Sequence, residues 1–326
     1  MTEPQPLVSI VIPCYNHENY VQESIQSVIE QDYDNIELII IDDGSSDNSV
    51  TKIEEMISAC QQRFKRFEFR YRPNKGLCAT LNEALEWCEG EFYSALASDD
   101  IILSHKVRVQ VDHLNANESC VAVFGKANLI NENSSVVGQN NNKAGKLFFK
   151  DIMLVKSSVC APTQMIRLDK LKATGGYQKD FYIEDFYMWL KLTENGEYLE
   201  NISDMLAKYR RHDSNISSEL NKMHLGRVEI INQYKTHALY NRAMASVFLS
   251  FAIDTQPVNK YKSIKILASS INKSIFILFD KRIFKFSLKI ILPRAIIIYL
   301  IRSNNHCYAV LNLLKTSRPF GTPPEK

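Results

Sequence analysis

The sequence predicts an α/β fold with a mostly parallel central sheet flanked by helices. Two observations predict it. Strand-like and helix-like patterns alternate from residue 7 to about residue 100, as a parallel sheet with covering helices requires. Acidic pairs, Asp42-Asp43 and Asp99-Asp100, close two of those strands. In such sheets ligands bind beyond the carboxyl ends of the strands, so the two pairs are expected to converge on one crevice.

Each element has its own signal. Leu7–Ile12 is a β-branched apolar run ended by Pro13, the pattern of a buried strand. Tyr20–Gln31 sets Val21, Ile25, Val28 and Ile29 on one helical face, with Asn16 or Asn19 available as a cap. Ile36–Ile41 is a second apolar strand, and Asp42-Asp43-Gly44-Ser45-Ser46 follows as a polar loop. Ser49–Cys60 reads as helix and Phe67–Tyr71 alternates like a strand. Gly76–Cys88 carries Leu77, Leu81, Ala84, Leu85 and Cys88 at helical spacing, and Glu91–Ala97 is a strand running into Ser98-Asp99-Asp100. Beyond Cys120, Asn131–Asn142 reads as a surface loop, Thr174–Tyr177 as a turn and Asp185–Lys191 as a helix, and the chain from Asn215 to about Ala252 is helical.

Composition separates two regions. The 326 residues are 45% hydrophobic and carry a net charge of +2, which excludes a disordered or collagen-like chain. From Pro257 to Lys326 there are 13 basic and two acidic residues, whereas the remainder is acidic, at −9. Such asymmetry predicts an acidic binding body and a basic appendage with a different partner. The seven cysteines are odd in number and none is in C-x-x-C spacing, so neither a disulfide framework nor a zinc ribbon is indicated. Reduced thiols and the lack of a basic leader at the N-terminus predict a cytoplasmic protein.

Asp99-Asp100 at a strand end suits a divalent cation such as Mg²⁺ or Mn²⁺, whose oxygen ligands are often completed by substrate phosphates. A solvated turn is the simpler reading of one acidic pair, and a second pair at the matching position of another strand reverses that preference. Asp42-Asp43 reads in the same way as a carboxylate for a base or sugar. Glu184-Asp185 has a plain alternative as acidic residues favoured in a first helical turn.

The ordered motifs VSIVIPCYN (8–16), IIIDDGSSD (39–47), NKG (74–76), LN (81–82), GEFY (90–93), ASDD (97–100), GGY (175–177) before EDFYMWL (184–190), and YRRHDSNIS (209–217) together resemble family 2 glycosyltransferases. The resemblance spans roughly residues 7 to 217. It implies a GT-A fold, with a Rossmann-like nucleotide-binding half over about 1–105 and an acceptor half over about 106–217, followed by a helical region over 218–326. It also implies inverting transfer from a nucleotide sugar. Carried over by position, Pro13, Tyr15 and Asn16 line the nucleoside pocket, and Asp43 or Asp42 holds the base. Asp99 holds the ribose or the metal, and Asp100 is the direct metal ligand. Asp185 is the general base, with Glu184 beside it orienting the acceptor. Arg210, Arg211 or His212 contacts the diphosphate or closes over the donor. The implied cofactor is Mn²⁺ or Mg²⁺, the donor a UDP-sugar, and the acceptor a glycan or lipid-linked glycan of a surface polysaccharide. Two departures stand out: Ala97 occupies the first position of the usual D-x-D, and Leu81 stands where many relatives carry Arg. The alternatives are a nucleotidyltransferase, disfavoured because 13–19 lacks glycines and basic residues, and a non-catalytic nucleotide-binding module, which leaves Glu184-Asp185 and 209–217 unexplained.

Asp280–Arg302 is basic and amphipathic, with Lys281, Arg282, Lys285 and Lys289 within one arc, and Pro293 interrupts it. Its charges argue against a membrane span and for a peripheral contact with an anionic membrane through 257–326, at the inner face of the plasma membrane. Packing on the catalytic domain or at an oligomer interface are the other readings, and no nucleic-acid motif accompanies the charge. The oligomeric state is not legible.

Overall fold

The structure, a computed structural model, describes residues 5–140, 142–156, 158–212 and 219–291. Two compact units divide the chain: residues 1–152 with 157–212, and residues 153–156 with 213–326.

The first unit is built on a mixed ten-stranded sheet. Its parallel half holds β1 (Val8–Cys14), β2 (Ile36–Asp42), β3 (Arg66–Tyr71) and β4 (Phe92–Ala95), in spatial order β3-β2-β1-β4. β2 is buried along its whole length and β1 almost so, as expected of parallel strands covered on both faces. β3 alternates charged and aromatic residues because it is the edge, where Arg66, Glu68 and Arg70 meet solvent and discourage pairing with another chain. The intervening helices are α1 (Val21–Ile29), α2 (Ser49–Glu54), α3 (Ile57–Arg63) and α4 (Leu77–Trp87). The single helix expected over 49–60 is two, because Met56 N–H reaches back only three residues, to the Ile53 carbonyl, and tightens the turn between them.

The second half of this sheet is where alternation fails. β5 (Ile101–Ile102), α5 (Lys106–Ala116), β6 (Cys120–Ile130), β7 (Val136–Gln139), β8 (Gly145–Phe148) and α6 (Phe149–Met153) come first. β9 (Met165–Arg167), α7 (Leu168–Ala173), α8 (Glu184–Thr193) and β10 (Tyr198–Arg210) follow. β9 runs antiparallel between β4 and β6, whereas β6 and the 13-residue β10 are parallel neighbours. The Asn131–Asn142 segment, expected as a loop, contributes β7 as an antiparallel partner of β6. The β-branched pair Val136-Val137 forms the strand, and the Asn131 carboxamide oxygen accepts from the Asn133 and Ser135 N–H groups to make the turn.

The second unit contains α9 (Leu220–Asn232), α10 (Tyr240–Thr255), α11 (Lys260–Lys273), a 3₁₀ turn over Ile275–Phe279 and α12 (Lys281–Ile291). The stretch expected to be helical from Asn215 to about Ala252 holds two helices, with 233–239 between them, and residues 213–218 lie outside the described residues. Ala245, Leu249 and Ile277 form its small core. Arg282 differs from the expected basic face: its guanidinium donates to the Asp280 carboxylate, to Ser246 and Ser250 hydroxyls and to the Val155 carbonyl. Val258, Tyr261, Phe276, Phe279 and Phe284 are exposed. Pro293 and the rest of the expected amphipathic segment lie outside the described residues. Among the described residues, no helix is long and apolar enough to cross a membrane.

Candidate active site

β1 has neighbours leading in opposite directions, β2 on one side and β4 on the other, so the sheet changes direction at its carboxyl end. That is where a doubly wound sheet opens a crevice. Three loops meet there, following β1, β2 and β4.

The first two loops latch to each other. Asn16 is left-handed, with φ of 54°. Its carboxamide oxygen accepts from Ser46 N–H at 2.8 Å, and its own N–H donates to Ser45 Oγ at 2.8 Å. Pro13 lies inside β1 opposite Ile41, and the Tyr15 ring is half exposed. Asp42 is wholly buried and serves its own turn, accepting from Gly44 N–H, Ser45 N–H and the Ser45 hydroxyl. Gly44 is required in that turn: φ is +78°, and an added Cβ would stand 2.6 Å from Asn74 N.

Asp43 faces the next loop. Its two oxygens accept from Lys75 N–H at 2.8 Å and Gly76 N–H at 2.9 Å, and Arg72 donates to it as well. Arg72 also bonds Glu83 and Thr80, fastening Asp43 to α4. On the other side of α4, Asn82 clasps Tyr177 from both backbone directions, at 2.7 Å to the carbonyl and 2.8 Å from the N–H. Gly176 makes room for that clasp: φ is +80° and an added Cβ would stand 2.6 Å from Asn82 Oδ1. Leu81 is buried within α4.

The carboxylates after β4 take different environments. Asp99 Oδ2 meets His212 Nε2 at 2.9 Å. Burial opposes charge on Asp99, yet the His212 hydrogen bond and the nearby His17 hold its carboxyl below the usual carboxylate range. Asp100 is buried and accepts from the Arg210 backbone N–H at 2.8 Å. Burial first, and the charge of Asp99 second, push its pKa well above the ordinary value. His17 completes the group: its Nδ1 lies 2.7 Å from Ser98 Oγ, and burial lowers its pKa. Donor atoms of His17, Asp99 and His212 all lie within 4.8 Å of one another, and Asp100 is not among them. With Ala97 lacking a carboxylate, two imidazoles stand around Asp99, a set that suits a first-row transition cation better than Mg²⁺.

His17 was missed by sequence reasoning although it directly follows the Pro-Cys-Tyr-Asn motif; the signal was an imidazole at a strand end facing an acidic pair. Arg210 also differs from expectation. Its side chain is wholly buried, donating to the carbonyls of Asp99, Asn131 and Glu132, to Ser134 Oγ and to the Glu23 carboxylate at 2.5 Å, and it lies 4.5 Å over the Tyr20 ring. Those bonds bind the end of β10 to the 99–100 turn and to α1. Arg211 is half-buried, with its guanidinium 5.2 Å over Tyr209, and burial holds its pKa below the ordinary value.

Glu184 and Asp185 open α8 and are both half-buried. Burial, then the charge of Asp185, push Glu184 up to about 8. Crowding of the two neighbouring carboxyls thus favours a proton on Glu184. Tyr177, held by Asn82, is buried close enough to feel both charges.

The profile of Glycosyl transferase family 2 matches residues 9–175, more than half of the 326-residue chain. An uncharacterized glycosyltransferase of Haemophilus influenzae is 31% identical over 226 residues, covering 66% of this chain and 69% of that protein. The Escherichia coli UDP-Glc:alpha-D-GlcNAc-diphosphoundecaprenol beta-1,3-glucosyltransferase WfgD is 33% identical over 213 residues, covering 65% of this chain and 80% of its own. Among solved structures, S. aureus TarS 1–349 in complex with UDP-GlcNAc superposes with a TM-score of 0.54 at 20% identity, over 87% of this chain and 76% of that one. The mannosyltransferase PcManGT from Pyrobaculum calidifontis, in complex with GDP-Man and Mn²⁺, gives 0.57 at 14% identity, over 88% and 85%. The two structures establish the GT-A fold, and the sequence match carries the assignment further: the chain belongs to glycosyl transferase family 2.

Proposed function

We propose that the chain is an inverting hexosyltransferase that moves a sugar from a UDP-sugar to a hydroxyl of a glycan or lipid-linked glycan in surface polysaccharide biosynthesis, by one metal-assisted displacement. The observation that carries it is the convergence of His17, Asp99 and His212 at the switch point of the sheet. UDP as the nucleotide is supported by WfgD, which takes UDP-Glc, and by TarS, which holds UDP-GlcNAc. The lipid-linked acceptor is supported by the diphosphoundecaprenol named for WfgD.

The three donors fit a divalent cation, and of the two implied ions Mn²⁺, a first-row transition metal, accepts imidazole beside a carboxylate more readily than Mg²⁺ does. Bound there, it would offset the charge growing on the departing diphosphate. The exposed Tyr15 ring and the Asp43 carboxylate are the groups we assign to the nucleoside, with Pro13 and Asn16 shaping the loop beneath it. Asp42 and Arg210 hold that frame. Asp100 positions the end of β10 through the Arg210 N–H, which sets His212 against Asp99. Arg211 we assign to the diphosphate.

At the acceptor, Asp185 takes the hydroxyl proton. The acceptor oxygen bonds the anomeric carbon on the face opposite the diphosphate as the bond from that carbon to the diphosphate oxygen breaks. The nucleoside diphosphate leaves with the electron pair. Glu184, protonated at neutral pH, donates a hydrogen bond that orients the acceptor.

The second unit is assigned a peripheral contact with anionic lipid. Exposed Val258, Tyr261, Phe276, Phe279 and Phe284 and exposed Lys260, Lys262, Lys265, Lys273 and Lys281 alternate along one stretch of chain, a composition that supports this reading.

Calorimetric titration of UDP and GDP, with and without Mn²⁺, followed by transfer assays over a panel of nucleotide sugars, tests the assignment. Mn²⁺-dependent binding of UDP and turnover of a UDP-sugar are expected. Binding of GDP alone overturns the choice of nucleotide, and binding of neither overturns the donor site.

A further inference from the structure

A second group of metal-capable side chains lies at the opposite strand ends. His113 is in the last turn of α5, Cys120 opens β6, and Glu200 is the third residue of β10. Their donor atoms all lie within 4.8 Å of one another. His113 Nε2 stands 3.1 Å from Glu200 Oε2, and both side chains are about one-fifth exposed, so the group is reachable from solvent. Cys120 is buried, its thiol donating to the Ala122 carbonyl at 3.3 Å. The register of β10 on β6 slips between Tyr198 and Leu199, and such a bulge re-aims the side chains that follow it.

We infer that His113, Cys120 and Glu200 form a second cation site, selective for Zn²⁺. The chemistry of the donors sets the choice: thiolate and imidazole prefer zinc, whereas Mg²⁺ and Mn²⁺ prefer oxygen. Tetrahedral zinc holds sulfur at about 2.3 Å and nitrogen at about 2.0 Å, so its donors stand roughly 3.5 Å apart. The three here, at most 4.8 Å apart, need to close by no more than about 1.3 Å to reach that spacing. On binding, the Cys120 thiol releases its proton to solvent, and His113, whose Nε2–H faces the Glu200 carboxylate, passes that proton through solvent to Nδ1 so that the Nε2 lone pair meets the cation. One thiolate and one carboxylate then balance the two positive charges. Three protein ligands leave a fourth position for water, the arrangement of an exchangeable rather than a permanently closed site.

The site clips the end of α5 to two strands of the sheet. It is separate from the donor crevice: nine residues of β10 lie between Glu200 and Arg210, on the order of 30 Å of strand. Only the second site contains sulfur, and this gives it a spectroscopic signature of its own.

The test uses the full chain stripped of metal with a chelator and titrated with Co²⁺, then with Zn²⁺ against a chromophoric competitor. A thiolate-to-cobalt charge-transfer band is expected, retained in an Asp99→Ala/His212→Ala double variant and lost in Cys120→Ser. Zn²⁺ affinity is expected to fall at least about tenfold in His113→Gln and in Glu200→Gln, with circular dichroism unchanged. These two variants carry the test should Cys120→Ser fail to fold. Absence of the band from the unmodified chain, its persistence in Cys120→Ser, or unchanged zinc affinity in His113→Gln and Glu200→Gln overturns the inference.

Discussion

Asp99 and His212 meet at 2.9 Å although 113 residues of chain separate them. The contact joins the turn after β4 to the residue two beyond the end of β10, and it brings the third donor to the candidate cation site. Losing that donor is expected to matter more than losing a supporting hydrogen bond. His212→Ala should lower Mn²⁺-dependent transfer by more than about 100-fold, beyond the effect typical of an outer partner. Steady-state rates across a Mn²⁺ titration check it, and an unchanged rate removes His212 from the site.

Ala97 is exposed and sits beside the same cluster. Ala97→Asp would add an oxygen donor to a set now rich in nitrogen. The ratio of Mg²⁺-supported to Mn²⁺-supported turnover is expected to rise about tenfold, since Mg²⁺ favours carboxylate. Parallel assays with the two cations decide it.

The Glu184 carboxyl, raised to about 8, makes stability depend on pH. Between its ordinary value of 4.5 and about 8 the folded chain holds a proton that the unfolded chain has lost. The contribution is complete below 4.5 and declines as pH rises toward 8, with a limiting slope of about 1.4 kcal/mol per pH unit. Glu184→Gln should flatten that decline in urea unfolding measured from pH 5 to 8.

Asp185→Asn addresses the chemistry instead. Without the base, turnover is expected to fall at least about 100-fold, while UDP affinity stays within about twofold of the parent. Turnover close to that of the parent would assign proton removal to another group.

Arg210→Ala would strip a buried cation from three carbonyls, a hydroxyl and Glu23. Each buried acceptor left without a partner costs about 1–3 kcal/mol, whereas the Glu23 carboxylate, 43% exposed, is rehydrated. Arg210→Lys should recover only part of it, because an ammonium cannot reproduce the forked geometry. Denaturant midpoints of the two variants provide the comparison.

For the second unit, Phe276→Asp with Phe279→Asp should abolish flotation with vesicles rich in anionic lipid and leave the circular dichroism spectrum unchanged. Retained flotation would place any lipid contact elsewhere.

The parallel half of the sheet was legible because β-branched runs such as Ile36–Asp42 are buried on both faces and give an unambiguous apolar pattern. The antiparallel half was not. β9 is three residues long, β5 is two, and β7 lies in an Asn-rich stretch whose pairing depends on a distant strand. At the site, the motifs named residues of loops that meet at the end of the parallel strands, but not the partners of each side chain. Asp42 and Arg210 became candidate ligand groups through the resemblance, which says nothing of the bonds that each makes within the fold. His17 carried too little local pattern to stand out, since one imidazole acquires meaning only from what packs opposite it.

The length of β10 has a bearing on biosynthesis. A nascent chain leaving the ribosome exposes His17 and Asp99 long before residue 212 emerges, and domains form from the amino-terminal side as they are made. The early strands β1 to β4 pair within their first hundred residues, whereas His212 joins them only when β10 docks along β6. Closing so long a loop is slow compared with local pairing. The polypeptide thus passes through a stage with a paired parallel half-sheet and an incomplete set of candidate cation ligands, which is completed beyond β10, the last of the described strands.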